Sequence, residues 1–470
     1  MSIHGVKPWI EGALPLWHPV IMGINSSLSK SAAGKFHALG CLLALALSSA
    51  GVQAAADDLK GAVDRDYPSL SALYQTLHSH PELSSQEIET ATLMAQQARD
   101  AGFTVTEHVG GTGVVALLRN GAGPTVMIRT ELDALPVEEQ TGLSFASKIR
   151  VKNAKGEEVA VAHACGHDAH MTIWTGVARR LAADRGQWSG TLMMIAQPAE
   201  ETGTGAKAML ADGLFTRFPR PDFNLSVHDT SALPAGQIST VAGTVKSAAD
   251  SVDIEVRGIG SHAALPQYSR DPIVVASSIV MALQTLVARN NNPFNPAVVT
   301  VGSFHGGTRP NIIASSVKLQ LSVRSNDEAT RTLLLDGIRR IAANQARAFG
   351  VPEDKLPIVT IVLSTPATYN SPALVERLKA PLQAALGADN VLKGEPLMTS
   401  EDFAEYGQVE PKIPSVQLWL GAVPAKIFAA TADKATLPGT HSPQWAPDAE
   451  PTIKTGVITL TSAALELMKK

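Results

Sequence analysis

Ser251-Val252-Asp253-Ile254-Glu255-Val256-Arg257-Gly258 reads as a strand, and the segments after it settle what kind of fold it belongs to. A helix pattern follows over DPIVVASSIVMALQTLVARN (271–290), then two strand runs, AVVTVGSFHG (297–306) and SSVKLQLSVRS (315–325). A second helix, ATRTLLLDGIRRIAANQARAFG (329–350), leads to a last strand, PIVTIVLST (357–365). The order β-α-β-β-α-β is that of a ferredoxin-like unit. Both ends of such a unit emerge on the same part of it, which suits it to insertion into another domain.

The flanking sequence supplies the host. Upstream, residues 58–104 carry two helix patterns, the second through ETATLMAQQARDAG and stopped by Gly102. Short apolar runs at Val114–Leu118 and Thr125–Arg129 read as buried strands. A helix (MTIWTGVARRLAA), a strand (TLMMIAQPA) and a helix (AKAMLADGLF) follow, and residues 367–470 return to helix and strand. Alternating elements predict an α/β fold, a central sheet covered by helices. The expected organisation is a discontinuous catalytic domain, 57–245 and 367–470, with a lid or dimerisation domain inserted at 246–366.

Residues 1–56 read differently. Lys30 and Lys35 precede the apolar run ALGCLLALALSSAGV (38–52), and small residues follow at Gln53-Ala54-Ala55-Ala56. That pattern is a secretory signal peptide, its apolar core too short for an ordinary membrane span. The expected location is periplasmic or secreted, with no membrane association after cleavage. The net charge of −4 and the lack of basic runs argue against a nucleic-acid partner.

Chemistry concentrates in His163-Ala164-Cys165-Gly166-His167-Asp168-Ala169-His170, three imidazoles, a thiol and a carboxylate in eight residues. Thiolate and imidazole together suit a borderline-soft metal ion. The chain's other cysteine, Cys41, falls in the signal-like segment, so Cys165 reads as inert, reactive or metal-bound. Glu200-Glu201 follow the TLMMIAQPA strand; neighbours in extended chain face opposite ways, so one acid can hold a metal while the other reaches water. His228, read as another strand end, and His441, in a turn, read first as packed or exposed-loop histidines, while the small neighbours of His262 in its Gly-rich loop let the backbone approach a ligand. His78 and His80, beside Pro81-Glu82, read equally well as capping or loop residues.

Eight segments in order carry a resemblance: HSHPELSSQE (78–87), RTELDALPVEE (129–139), HACGHDAH (163–170), AQPAEETGTGA (196–206), GIGSHAALPQ (258–267), GTRPNIIA (307–314), MTSEDFAEY (398–406) and GTHSP (439–443). The chain resembles the M20 metallopeptidases, in particular their amidohydrolase branch of hippurate, aminoacylase-like and indoleacetyl-amino-acid hydrolases. The resemblance implies Cys165, His167, Glu201, His228 and His441 as metal ligands and Glu200 as general base. It implies Asp133 as an acid supporting the metal site. His262 corresponds to a histidine that reaches the substrate carbonyl from the partner subunit of a homodimer. Asn311 and Arg324 fall where relatives contact substrate. Glu131 stands where the family has Asp, which leaves that position's role in doubt, and Asp229 replaces a commoner apolar residue after His228. His163 and His170 are expected to support the fold or the ligands.

The function implied is hydrolysis of N-acyl or aminoacyl amino acids, or of short peptides, with two divalent ions, Mn2+ or Zn2+, with Co2+ or Ni2+ as alternatives. Three other readings compete. A structural zinc site leaves Glu200 unexplained, a Cys165 nucleophile leaves the acidic pair idle, and a non-catalytic binder has no reason to keep a complete ligand set.

Overall fold

The computed structural model describes residues 58–470; the signal-like segment lies outside them. An eight-stranded mixed sheet forms the centre, and its four middle strands matter most for the site. Thr125–Glu131 lies parallel to Gly190–Gln197 on one side and to Phe223–Pro234 on the other, and Phe223–Pro234 then pairs in parallel with Ser415–Val423. Val114–Asn120 adds on antiparallel to Gly190–Gln197. The α/β fold class read from the alternation is the one found.

Gly190–Gln197 is buried along its whole length, as its unbroken apolar run demands. Its side chains alternate between two cores. Leu192, Met194 and Ala196 enter the larger one, with Leu70, Met94, Trp174, Leu378 and Val457 from the helices on that face. Met193 and Ile195 point to the opposite face, against Met209, Leu214, Phe403 and Tyr406. On the first face the helices His167–Ala183 and Ala449–Met468 cross closely. A Cβ on Gly176 would stand 2.5 Å from Val457, and one on Gly456 would stand 2.4 Å from Ile173. Glycine weakens a helix by about 1 kcal/mol relative to alanine. Here it is what lets the two backbones approach and holds the helix bearing His167 against the sheet.

The expected helix AKAMLADGLF is two helices, Gly205–Ala211 and Leu214–Arg217. Gly213, at φ +84°, breaks them, because the left-handed conformation ends a helix.

The second sheet is antiparallel throughout, in the order Ala297–Gly306, Ser316–Ser325, Ala248–Arg257, Ile358–Thr365. Helices Pro272–Thr285 and Glu328–Ala348 bury Ile279, Leu283, Leu334 and Ile338 against Ile254, Leu319 and Val323. Both start on an aspartate cap: Asp271 accepts from the Ile273 N–H and Asp327 from the Thr330 N–H. Burial along Ala248–Arg257 alternates strictly, so one face meets the helices and the other stays partly open. The chain enters this unit through Gly243–Lys246 and returns through Thr368–Asn370, two short strands that pair with each other.

Candidate metal centre

Three strands of the large sheet, one helix and a turn aim side chains at one point. Thr125–Glu131 ends just before Asp133, whose carboxylate is fully buried. It accepts from the Ser84 hydroxyl (2.6 Å) and from the backbone N–H of Glu201 (2.9 Å). His167 opens its helix directly after Gly166, which sits at φ +81°. A Cβ at Gly166 would fall 2.0 Å from Asp229 Oδ2, so only glycine fits. His167 Nδ1 donates to the Asp133 carbonyl (2.8 Å), which leaves Nε2 free to face the cluster.

Glu200 and Glu201 do not lie on extended chain. The strand stops at Gln197, and a tight turn carries both acids, with Ala199 at φ +51° and its N–H held by Glu87 (2.8 Å). The turn, rather than strand alternation, brings both carboxylates to His167 Nε2, each at 3.9 Å. His228 is mid-strand in Phe223–Pro234 instead of at its end, because pairing with Ser415–Val423 continues past it. Its Nδ1 donates to the Asp229 carbonyl (2.9 Å), and Nε2 points at Cys165 Sγ, 3.7 Å away. His441 lies in a turn, at φ +70°, with its side chain 57% exposed. Its N–H donates to the Ala164 carbonyl (2.6 Å), and its Nε2 stands 3.4 Å from Glu201 Oε2.

The donor atoms fall into overlapping groups, each within 4.8 Å: Cys165, His167 and His228; Cys165, Glu201 and His441; His167, Glu200 and Glu201. Buried polar atoms without partners mark what the cluster lacks. They are His167 Nε2, Glu201 Oε1 and Asp133 Oδ1. An unmet buried polar atom costs about 1–3 kcal/mol. A divalent cation between His167 and Glu201 would satisfy two of them, so the residues fit a metal.

Protonation agrees. Burial, followed by Lys246, lowers His228 to about 4, so its ring is neutral and its lone pair available. Burial pushes the Cys165 thiol well up and Glu201 adds to this, so without a cation it keeps its proton. Burial, then Glu401 and Glu201, raises Glu200 well above the usual carboxylate range. Asp133 is lowered: burial opposes its charge, but His167, Ser84 and the Glu201 N–H outweigh it.

Cys165, Glu200, Glu201, His228 and His441 line a cleft of about 670 Å³ whose other wall is the open face of the second sheet, with Ser251, Ser322 and Arg324. Arg324 is half-buried, and its Nη1 has no partner. His262 and Asn311 are outside that lining. His262 pairs with Ile312 in a two-residue ladder, and the Asn311 carbonyl accepts from Ala263 (3.1 Å).

Glu131 proves to be fully buried, ion-paired with Arg129 and hydrogen-bonded to His170 Nδ1 (3.1 Å). His163 is buried with neither ring nitrogen partnered, so it supports no other group by hydrogen bonding. Sequence reasoning passed over Arg129, Lys246, Glu401 and Asp402. Arg129 reaches both Glu401 and Asp402 at 2.9 Å, and Lys246 lies 3.2 Å from Glu401 and over the Trp419 ring. The only visible signal was the acid pair inside MTSEDFAEY, and its partner Arg129 is more than 270 residues away.

Residues 127–437 match the family described as Peptidase family M20/M25/M40. A hippurate hydrolase of Campylobacter jejuni is 35% identical over 336 residues, 71% of this chain and 84% of that protein. Thermostable carboxypeptidase 2 of Saccharolobus solfataricus is 32% identical over 404 residues, 84% of this chain and 94% of that one. Among solved structures, Bacillus subtilis YXEP, described as a dinuclear metal binding peptidase, superposes with a TM-score of 0.69 at 26% identity, covering 86% of this chain and 99% of its own. The chain belongs to the M20 peptidase family and is a hydrolase of amide or peptide bonds.

Proposed function

We propose that the chain hydrolyses the amide of N-acyl or aminoacyl amino acids, using two divalent ions held by Cys165, His167, Glu201, His228 and His441. The observation that carries this is the convergence of those donors around unpartnered His167 Nε2 and Glu201 Oε1, with Glu200 at 3.9 Å. Bound divalent ions supply Lewis acidity to the amide carbonyl and acidify water. Thiolate and imidazole favour Zn2+, the carboxylates Mn2+, and Co2+ or Ni2+ accept the same set.

Glu200 takes the proton from water and delivers it to the departing amine. Its raised proton affinity suits both halves of that transfer. Asp133 keeps His167 and the Glu201 backbone in place. Arg324 offers an unpaired N–H donor to the free carboxylate next to the scissile amide, and Asn311, beside His262 and outside this cleft, contacts substrate from a second copy. His262 reaches the carbonyl in the cleft of a second copy, within a homodimer. A short peptide cut at its C-terminal residue presents the same amide-then-carboxylate pattern. The similarity to a carboxypeptidase supports that as a second substrate class. The signal-like N-terminus supports a site of action outside the cytoplasm.

Elemental analysis of the purified protein, run with a panel of N-acyl amino acids and dipeptides, tests the proposal. Turnover of the panel with about two metal equivalents supports it, and metal-independent turnover overturns it.

A further inference from the structure

Around His228, the strand that delivers it is paired along one edge only. Its pairing with Ser415–Val423 runs the length of the site, Trp419 opposite His228 and Leu420 opposite Asp229. On the other edge, pairing with Thr125–Glu131 stops at Leu225. Beyond that point a side chain supplies an acceptor. His170, buried and one turn after His167 on the same helix, places its Nε2 3.0 Å from the Asp229 backbone N–H. Its Nδ1 lies 3.1 Å from Glu131 Oε2. Glu131 is paired through Arg129, which also reaches Glu401 and Asp402. One imidazole therefore links the three elements that bring Asp133, His167 and His228 together.

We propose that His170 is a positioning residue for the metal centre, bracing the His228 strand through the Asp229 amide. The alternative, His170 as a ligand, conflicts with the geometry, since both ring nitrogens already have partners. The Asp229 amide hydrogen points at Nε2, so the brace requires that nitrogen to keep its lone pair and the proton to sit on Nδ1, toward Glu131; the Asp229 carboxylate, 3.4 Å from Nε2, is the competing partner. The Asp229 carbonyl in turn accepts from His228 Nδ1 at 2.9 Å, so a shift of this residue turns the ligand ring itself. Glu131, one methylene longer than aspartate, is what Nδ1 contacts.

The proposal rests on the metal-binding reading above, and two amide variants separate the two. Asparagine can place its N–H₂ near the Nδ1 position and keep Glu131, but it offers the Asp229 amide nothing. Glutamine can place its carbonyl near the Nε2 position and keep the amide. Co2+ affinity is measured by chelator competition and the cobalt absorption spectrum is recorded, with far-UV circular dichroism of each metal-free variant alongside. His170→Asn is expected to bind Co2+ about 10- to 100-fold more weakly, with an altered spectrum, while His170→Gln stays close to wild type. Wild-type affinity in His170→Asn, or equal losses in both variants, overturns the brace. Neutron diffraction of the wild-type protein is a check that no variant's folding can spoil: a proton on Nδ1 alone supports the proposal, and one on Nε2 overturns it. A wild-type chain that takes up no Co2+ at all overturns the metal reading beneath it.

Discussion

The two walls of the cleft are built on opposite principles. The wall from the large sheet is buried and densely bonded. Asp133, His167, His228, Glu401 and Asp402 are all within the protein: the Glu201 N–H holds Asp133, backbone carbonyls hold His167 and His228, and Arg129 and Lys246 hold the last two acids. The wall from the second sheet is the half-open face of a layer whose core lies on the other side. Its Ser251, Ser322 and Arg324 have water at hand, and only Arg324 carries an unmet donor. A rigid, desolvated wall suits charge development; a half-solvated wall suits recognition. Changes to the first should act on metal and turnover, and changes to the second on substrate affinity.

The largest effect tests that division at its centre. Glu200→Gln should retain its metal and lose about 10²–10⁴ in kcat. Near-normal kcat in the metal-loaded variant would remove Glu200 as base. Cys165 offers a chemical version: labelled at a pH alkaline enough to ionise its buried thiol, it should resist alkylation with metal bound and react faster after chelation, followed by mass spectrometry. Equal labelling rates would exclude it as a ligand.

His262 crosses the comparison, because it belongs to neither wall of its own chain. His262→Ala should lose about 10²–10³ in kcat, and mixing it with Glu200→Gln should restore part of the activity, since one mixed site holds both intact groups. No recovery in subunits shown to exchange would break the proposal that it acts on a second copy. On the recognition wall, Arg324→Met should raise KM about 10- to 100-fold, from the roughly 1.5–3 kcal/mol of a charged hydrogen bond, with kcat little changed. A fall in kcat at constant KM would merge the two walls.

The smallest effect on turnover concerns the packing behind the first wall. His78 bridges Asp168 (2.6 Å) and Glu139 (2.9 Å). Burial opposes its charge, but those two hydrogen bonds outweigh it and lift it to about 10. Because the folded value is raised, its stabilisation is complete below about pH 6.5 and is lost as pH climbs toward 10. His78→Asn should therefore unfold more easily than wild type near pH 6, by about 3 kcal/mol. Chemical denaturation should show the gap narrowing toward pH 10.

Much of this was legible beforehand for physical reasons. A strand buried on both faces must be apolar throughout, so TLMMIAQPA announced itself, and so did the alternation in SVDIEVRG. Errors came where geometry is set by a few dihedral angles. Gly213 divided one expected helix, and Ala199 at φ +51° placed Glu200 and Glu201 on a turn instead of a strand. His228 looked like a strand end because pairing with Ser415–Val423 cannot be seen locally. The Glu131 substitution looked doubtful for the same reason, since Arg129 and His170 give it its place.

Composition and pattern determined the α/β class and the β-α-β-β-α-β order, because burial period is a local property of residues. Tertiary structure alone decided which nitrogen of each histidine is free, that Asp229 and not a Cβ fills the space beside Gly166, and that Arg129 joins Glu131 to Glu401 and Asp402. Those are matters of where distant segments meet, and a buried charge or lone pair acquires its role only from the partner that arrives to face it.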